Sequence, residues 1–260
     1  MQVNFLVCGA QKSGTTALDH ALRQHPNICM STPKETHFFD DDAQFESQSK
    51  TNQPDYTHYH THFKPTPSQT LLGESTPIYM YWNNCIQRIH AYNPAMRLII
   101  ILRNPIQRAY SHWNMETARG NESEPFLDAI KREQDQRIGQ DTNQSRITSY
   151  LDRGNYAKQL THIWSIFPKH QTHILKTESL RDHPTQTMSS IFKFLNLPIT
   201  PIQPDHLFAH PYPEPMIKEI FAHLADHFTP SIQHLESLLN WDCSQWYTHQ
   251  DITNPDHSPM

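Results

Sequence analysis

"FLVCGAQKSGTTALDHALRQ", residues 5–24, sets an apolar run, a glycine-bearing loop and an amphipathic pattern end to end. Asn4 to Cys8 reads as a buried strand, and Ala17, Leu18, Ala21 and Leu22 fall on one stripe of a helix. Between them, "CGAQKSGTT" (8–16) has the outline of a phosphate-binding loop, opened by Gly9 and closed by Gly14 and Thr16. A strand, a loop and a helix start in that order aim backbone N–H groups and the positive end of the helix dipole at an anion. Glycine at position 14 lets the backbone approach an oxyanion, and the hydroxyls of Thr15 and Thr16 add donors.

The loop departs from that of nucleotide triphosphatases. There a lysine stands just before the closing hydroxyl and reaches the β and γ phosphates, while the hydroxyl holds Mg²⁺. Here that place is Thr15, the lysine is Lys12, and the run "RLIIIL" ends in Arg103 where a metal-holding aspartate would be expected. A displaced lysine without that acid fits a donor carrying one phosphate and one other leaving oxyanion. A P-loop kinase or nucleotide hydrolase is the competing reading, and a catalytically silent nucleotide-binding protein is a third.

Further along, apolar runs bounded by turn residues predict strands at Asn4–Cys8, Asn27–Ser31, Thr70–Glu74, Leu98–Leu102 and His173–Lys176. Helical patterns lie between them: "TTALDHALRQ", "IQRAYSHWNMETARG" after Pro105, and "NYAKQLTHIWSIF" before Pro168. This alternation predicts an α/β fold, a P-loop-like central parallel sheet flanked by helices on both faces, in a single domain over 1–250 with a loose tail at 251–260. The polar stretch Asn121–Arg153 is expected to be a surface excursion covering a site, with a helix over Pro125–Arg137. Two more helical patterns, Glu214–Phe228 and Ser231–Leu239, follow a proline-rich segment.

Composition narrows the function classes. The 260 residues are 36% hydrophobic with a formal net charge of −5, so no broad basic field exists to hold nucleic acid or an anionic membrane. No apolar run approaches the roughly 18 residues of a membrane span, and the start of the chain lacks the features of a leader. A soluble, cytoplasmic protein is expected. Cys8, Cys29, Cys85 and Cys243 are widely spaced, which predicts buried free thiols. His58, His60 and His62 alternate in "YTHYHTHF" and would share one side of a strand, but no carboxylate or cysteine sits among them, and no metal site is expected.

A second stretch carries chemistry. In "LIIILRNPIQRAYSHWNM" (98–115), Arg103 ends a buried strand and Ser111 lies on the following helix, a charged fork and a hydroxyl suited to a phosphate. "GAQKSGTTAL" resembles the 5′-phosphosulfate loop of sulfotransferases that use 3′-phosphoadenosine 5′-phosphosulfate (PAPS), and "ILRNPIQRAYSHW" resembles their 3′-phosphate segment. The likeness continues in "PKETHFFD", "GESTPIYMY", "GNYAKQLTHIWSIFP" and "ILKTESLRDHP", over residues 3 to 197. It is to a bacterial member of that family, related to the heparan-type glycan sulfotransferases.

The resemblance implies that Gly9, Gln11, Lys12, Ser13, Gly14, Thr15 and Thr16 cradle the 5′-phosphosulfate and that Arg103 and Ser111 hold the 3′-phosphate. Lys12 would neutralise charge on the bridging oxygen as the S–O bond breaks. In "PKETHFFD", Glu35 and His37 share a face of an extended segment, with Asp40 beyond. In the heparan-type enzymes the matching glutamate is the proposed base, supported by the matching histidine and aspartate. The resemblance thus implies catalysis by Lys12, Glu35, His37 and Asp40, with PAPS as co-substrate, 3′-phosphoadenosine 5′-phosphate (PAP) as product and no metal. The acceptor is expected to be a small natural product or saccharide, sulfated on a hydroxyl in preference to nitrogen. One departure bears on it: those glycan enzymes commonly carry a lysine where "GESTPIY" has Ser75.

Overall fold

The five apolar runs become five strands in the computed structural model, which describes residues 2–47, 55–136, 145–202 and 215–249. They are β1 (Phe5–Gly9), β2 (Ile28–Met30), β3 (Leu71–Ser75), β4 (Arg97–Leu102) and β5 (Thr172–Lys176). All pair in parallel, in the order β2-β3-β1-β4-β5. From β1 the chain first builds one side of the sheet and then returns to build the other. The order therefore reverses at β1, and the crevice outside its carboxyl end is where open sheets of this kind take ligands.

The helices are α1 (Thr15–Arg23), α2 (Asp42–Ser47), α3 (Thr57–His60), α4 (Cys85–Tyr92), α5 (Pro105–Ala118), α6 (Phe126–Asp135), α7 (Tyr156–Trp164), α8 (Thr177–Asp182), α9 (Pro184–Phe194) and α10 (Lys218–Leu239). Alternation along the strands divides their side chains between two faces. Phe5, Val7, Ile99 and Ile101 form one core with Leu18 and Leu22 of α1 and Met188, Ile191 and Phe192 of α9. Leu6, Cys8, Leu98, Ile100 and Leu102, on the opposite face, are just as inaccessible, so the sheet is sealed on both sides. Each such side chain contributes about 1.5–3 kcal/mol when withdrawn from water. All four cysteines are free and buried, and burial pushes the Cys8 thiol up to about 12.

The contacts divide the chain into two compact units, Met1–Leu102 with His162–Leu207 and Arg103–Thr161 with Phe208–Met260. The first holds the sheet. In the second, Asn104 caps α5 by accepting from the Ile106 N–H at 2.9 Å, with Pro105 in the first turn. The buried Arg108 of α5 donates to the Tyr150 carbonyl.

Two expectations change. The histidine segment is a helical turn, α3, so His58, His60 and His62 do not share a strand face; His60 Nε2 lies 2.8 Å from the Tyr92 hydroxyl. No group of three or more His, Cys, Asp or Glu among the described residues is arranged to hold a metal ion. The two expected helical patterns are also one helix, α10, over Lys218–Leu239, which runs through Pro230. Proline removes one backbone hydrogen bond, but Phe221, Leu224, Phe228, Ile232 and Leu235 keep a single buried stripe across it. Packing outweighs the breaker. The expected tail 251–260, residues 137–144 of the polar excursion and most of its proline-rich counterpart lie outside the described residues. Among the described residues, no helix is long and apolar enough to cross a membrane.

Gly73 faces Phe5 across the β1–β3 pairing, and a Cβ there would fall 2.1 Å from the Phe5 ring. Because Phe5 is wholly enclosed, the ring has no room to yield. Gly73→Ala is expected to lower stability by about 1–3 kcal/mol through overpacking, measured as a lower urea midpoint at unchanged m value.

Candidate functional site

The glycine loop is fastened at three points. The Ala10 N–H donates to the Ile101 carbonyl at 2.8 Å, the Ser13 N–H to the Ala10 carbonyl at 3.2 Å, and the Leu18 N–H to the Gly14 carbonyl at 3.1 Å. Sequence reading gave no role to Thr177, yet its Oγ1 lies 2.6 Å from the Ser13 carbonyl and 3.1 Å from the Leu102 carbonyl, clipping the loop to the end of β4. Lys12 and Gly14 both take positive φ, 70° and 93°. Gly14 suits that region; Lys12 pays a steric penalty of about 1–2 kcal/mol there.

Gly14 is the N-cap of α1, with no side-chain cap and no acidic residue in the first turn. The helix thus presents an uncapped positive end. Gly14 and Thr16 are exposed, Thr15 is buried, and Gln11 and Lys12 are half-buried. Ser13 Oγ is buried and has no hydrogen-bond partner among the described residues. A buried hydroxyl left unsatisfied costs free energy, and an anion in the cradle is the partner its chemistry fits.

Arg103 and Ser111 belong to the second unit. Arg103 directly follows β4, is half-buried and donates from Nε to Gln107 Oε1 at 3.3 Å, while its carbonyl accepts from the Tyr156 hydroxyl at 2.9 Å. Ser111 is buried on α5.

"PKETHFFD" folds into a chain of charges. Lys34 Nζ lies 2.7 Å from Glu35 Oε1, His37 Nε2 lies 3.5 Å from Glu35 Oε2, and His37 Nδ1 lies 3.1 Å from both Asp40 oxygens. Asp40 is buried, whereas the Glu35 and His37 side chains keep 37% and 42% exposure. The pair is therefore reachable from solvent while its anchor is not. Burial would raise the Glu35 carboxyl, but hydrogen bonds from His37 and Lys34 and their charges outweigh it and draw it down to about 2. Hydrogen bonds to Asp40 and then Glu35 raise His37 to about 9 against the opposing effect of burial. At neutral pH the resting site pairs the ionised Glu35 with the His37 imidazolium, whose other ring nitrogen rests on Asp40.

Sequence reading missed what holds this segment. Glu74, fully buried at the end of β3, accepts from Thr36 Oγ1 at 2.6 Å, Thr76 Oγ1 at 2.6 Å and Tyr79 OH at 2.8 Å on Oε1, and from Tyr59 OH at 2.5 Å on Oε2. Desolvation raises its carboxyl, and the four hydroxyl donors oppose that. The available signal was a lone carboxylate closing the apolar run "LLGES". Parallel register places Leu6 beside Glu74 and Val7 beside Ser75, so the Lys34–Asp40 segment and the glycine loop are fixed to adjacent strand ends of one sheet edge. Ser75 itself is fully buried.

The sulfotransferase domain family matches residues 2–223, and the chain belongs to that family. The match runs through both compact units. The chain is 24% identical to the membrane-associated sulfotransferase kil1 of Dictyostelium discoideum over 92% of its own length and 65% of that protein. It is 31% identical to the human bifunctional heparan sulfate N-deacetylase/N-sulfotransferase 2 over 74% of its length, but this spans only 22% of that protein. Among solved structures, a sulfotransferase from Alicyclobacillus acidocaldarius superposes with a TM-score of 0.79 at 25% identity, covering 95% of this chain and 100% of that one.

The charge chain has a pH signature. His37 is raised above its ordinary 6.5, so its contribution to stability is complete below 6.5 and lost as pH rises through about 9. Glu35 is lowered from 4.5, so its contribution is complete above 4.5 and lost as pH falls through about 2. Titration of the His37 ring by NMR is expected to give a midpoint near 9, and Asp40→Asn should bring it down toward the ordinary histidine value.

Proposed function

We propose that this protein transfers a sulfuryl group from PAPS to a hydroxyl of a small natural product or saccharide. The observation that carries the reading is the pairing, at adjacent strand ends, of an anion cradle holding the buried Ser13 hydroxyl, which has no partner among the described residues, with a solvent-reachable carboxylate and imidazolium. Membership in the sulfotransferase family supports it. PAPS supplies a sulfuryl group on a phosphate leaving group. In this reading Gly9, Gln11, Ser13, Gly14, Thr15 and Thr16 bind the 5′ side, Lys12 neutralises charge on the departing phosphate, and Arg103 with Ser111 takes the 3′-phosphate.

Glu35 receives the acceptor's proton. A carboxylate held near 2 is a poor base toward a free alcohol. An alcohol oxygen that has begun to bond sulfur is far more acidic, so the proton passes late and a weak base is enough. His37 keeps Glu35 ionised and oriented, and Asp40 keeps His37 charged. Ser75, uncharged and enclosed, supplies no cation for a polyanionic chain, which favours a small or neutral acceptor.

Two measurements test this. PAP at a hundredfold over its dissociation constant should stabilise the protein by about 2.7 kcal/mol and raise Tm by several degrees, with Mg·ATP doing much less. Tighter binding of Mg·ATP would turn the reading toward a kinase or nucleotide hydrolase. Glu35→Gln retains size and hydrogen-bonding capacity without the base and should lower kcat by about 10²–10⁴ at unchanged PAP affinity. Turnover at the wild-type rate would remove Glu35 from the mechanism.

A further inference from the structure

We propose that Glu74 is a positioning residue for the Glu35–His37 pair, acting through hydroxyl protons that it draws away from the loop backbone. The inference rests on the role given to that pair above. A hydroxyl has one proton to donate and lone pairs to accept with. Thr36 Oγ1, Thr76 Oγ1, Tyr79 OH and Tyr59 OH all lie at donating distance from the Glu74 carboxylate. Thr36 Oγ1 and Tyr79 OH are also 3.3 Å from each other, but both approach Oε1 more closely.

With their protons committed, three of these oxygens are left as acceptors, and each meets a loop N–H. Thr76 Oγ1 accepts from the Thr36 N–H at 3.2 Å, Thr36 Oγ1 from the Phe38 N–H at 3.4 Å, and Tyr79 OH from the Phe39 N–H at 3.4 Å. These amides bracket His37, a non-glycine residue held at φ 54°. Left-handed backbone of that kind persists only where its surroundings over-determine it. The fourth hydroxyl, on Tyr59, reaches the opposite carboxylate oxygen. It serves as an internal control, since it shares the buried acid while, among the described residues, no loop amide donates to it. A merely structural acid would treat all four donors alike.

The experiment compares Thr36→Val, Thr76→Val and Tyr59→Phe by Tm, NMR titration of His37, PAP affinity and kcat. Thr36→Val and Thr76→Val should move the His37 midpoint downward and lower kcat about five- to tenfold, the weight of one buried hydrogen bond, while PAP affinity holds. Thr36→Ser should restore both. Tyr59→Phe should lower Tm and leave the midpoint in place. Tm and the titration need no turnover, so they decide the role of Glu74 even if sulfuryl transfer fails to appear. An unmoved midpoint in both valine variants would overturn the proposal, as would an equal shift in all three. Should either valine variant fail to fold, Tyr79→Phe replaces it: it removes the hydroxyl that accepts from the Phe39 N–H, and a midpoint unchanged by it would count against the proposal.

Discussion

A parallel sheet buried on both faces leaves its carboxyl edge as the place where polar chemistry can be assembled, and the rest of this molecule follows from that constraint. Phe5, Val7, Ile99 and Ile101 commit one face of the sheet to α1 and α9, while Leu6, Cys8, Ile100 and Leu102 commit the other. Backbone N–H and C=O groups within the sheet are consumed by pairing. At the edge, the strands end and their successors are free to turn. The order reversal at β1 then puts the glycine loop beside β3 on one side and β4 on the other, and each neighbour contributes a fastening. β4 offers the Ile101 and Leu102 carbonyls to the glycine loop and its Thr177 clip, whereas β3 offers Glu74 to the Thr36 segment alongside.

The two halves of the site solve opposite electrostatic problems. The loop concentrates donors: an uncapped helix start, a lysine and hydroxyls, with no acid in the first turn of α1. The segment from Lys34 to Asp40 alternates charge instead, so that neither Glu35 nor His37 stands alone. Balancing Glu35 against His37, and His37 against a buried Asp40, keeps the segment locally satisfied before any acceptor arrives.

Legibility in the sequence followed range. The five strands were readable because each is a local apolar run, and the loop because its strand, glycines and helix start are contiguous. The Glu35, His37 and Asp40 contacts were within reach for the same reason, since all three lie within six residues. α10 misled because local breaker chemistry at Pro230 points to two helices, and only the tertiary burial of Phe228 and Ile232 joins them. The histidine run misled because alternate spacing cannot by itself separate a strand from a short helical turn. Thr177, 164 positions from Ser13, and Glu74, 38 positions from Thr36, were invisible as functional contacts because their meaning is created by folding alone.

This division has a mechanistic reason. Groups proposed to meet substrate must be aimed finely against one another, and short spacing in the chain limits how far they can drift. Groups that hold them in place work best from rigid elements, and here those are the closing residues of β3 and the first residue of α8. Glu74 shows the cost such an anchor carries: a carboxylate wholly withdrawn from water is unfavourable unless several donors converge on it. The four hydroxyls meet that need while three of them, on Thr36, Thr76 and Tyr79, leave their oxygens available to the loop. The same atoms thus satisfy a buried charge and hold the backbone on either side of His37, so the stability of this edge and the geometry of the Glu35–His37 segment rest on one set of hydrogen bonds.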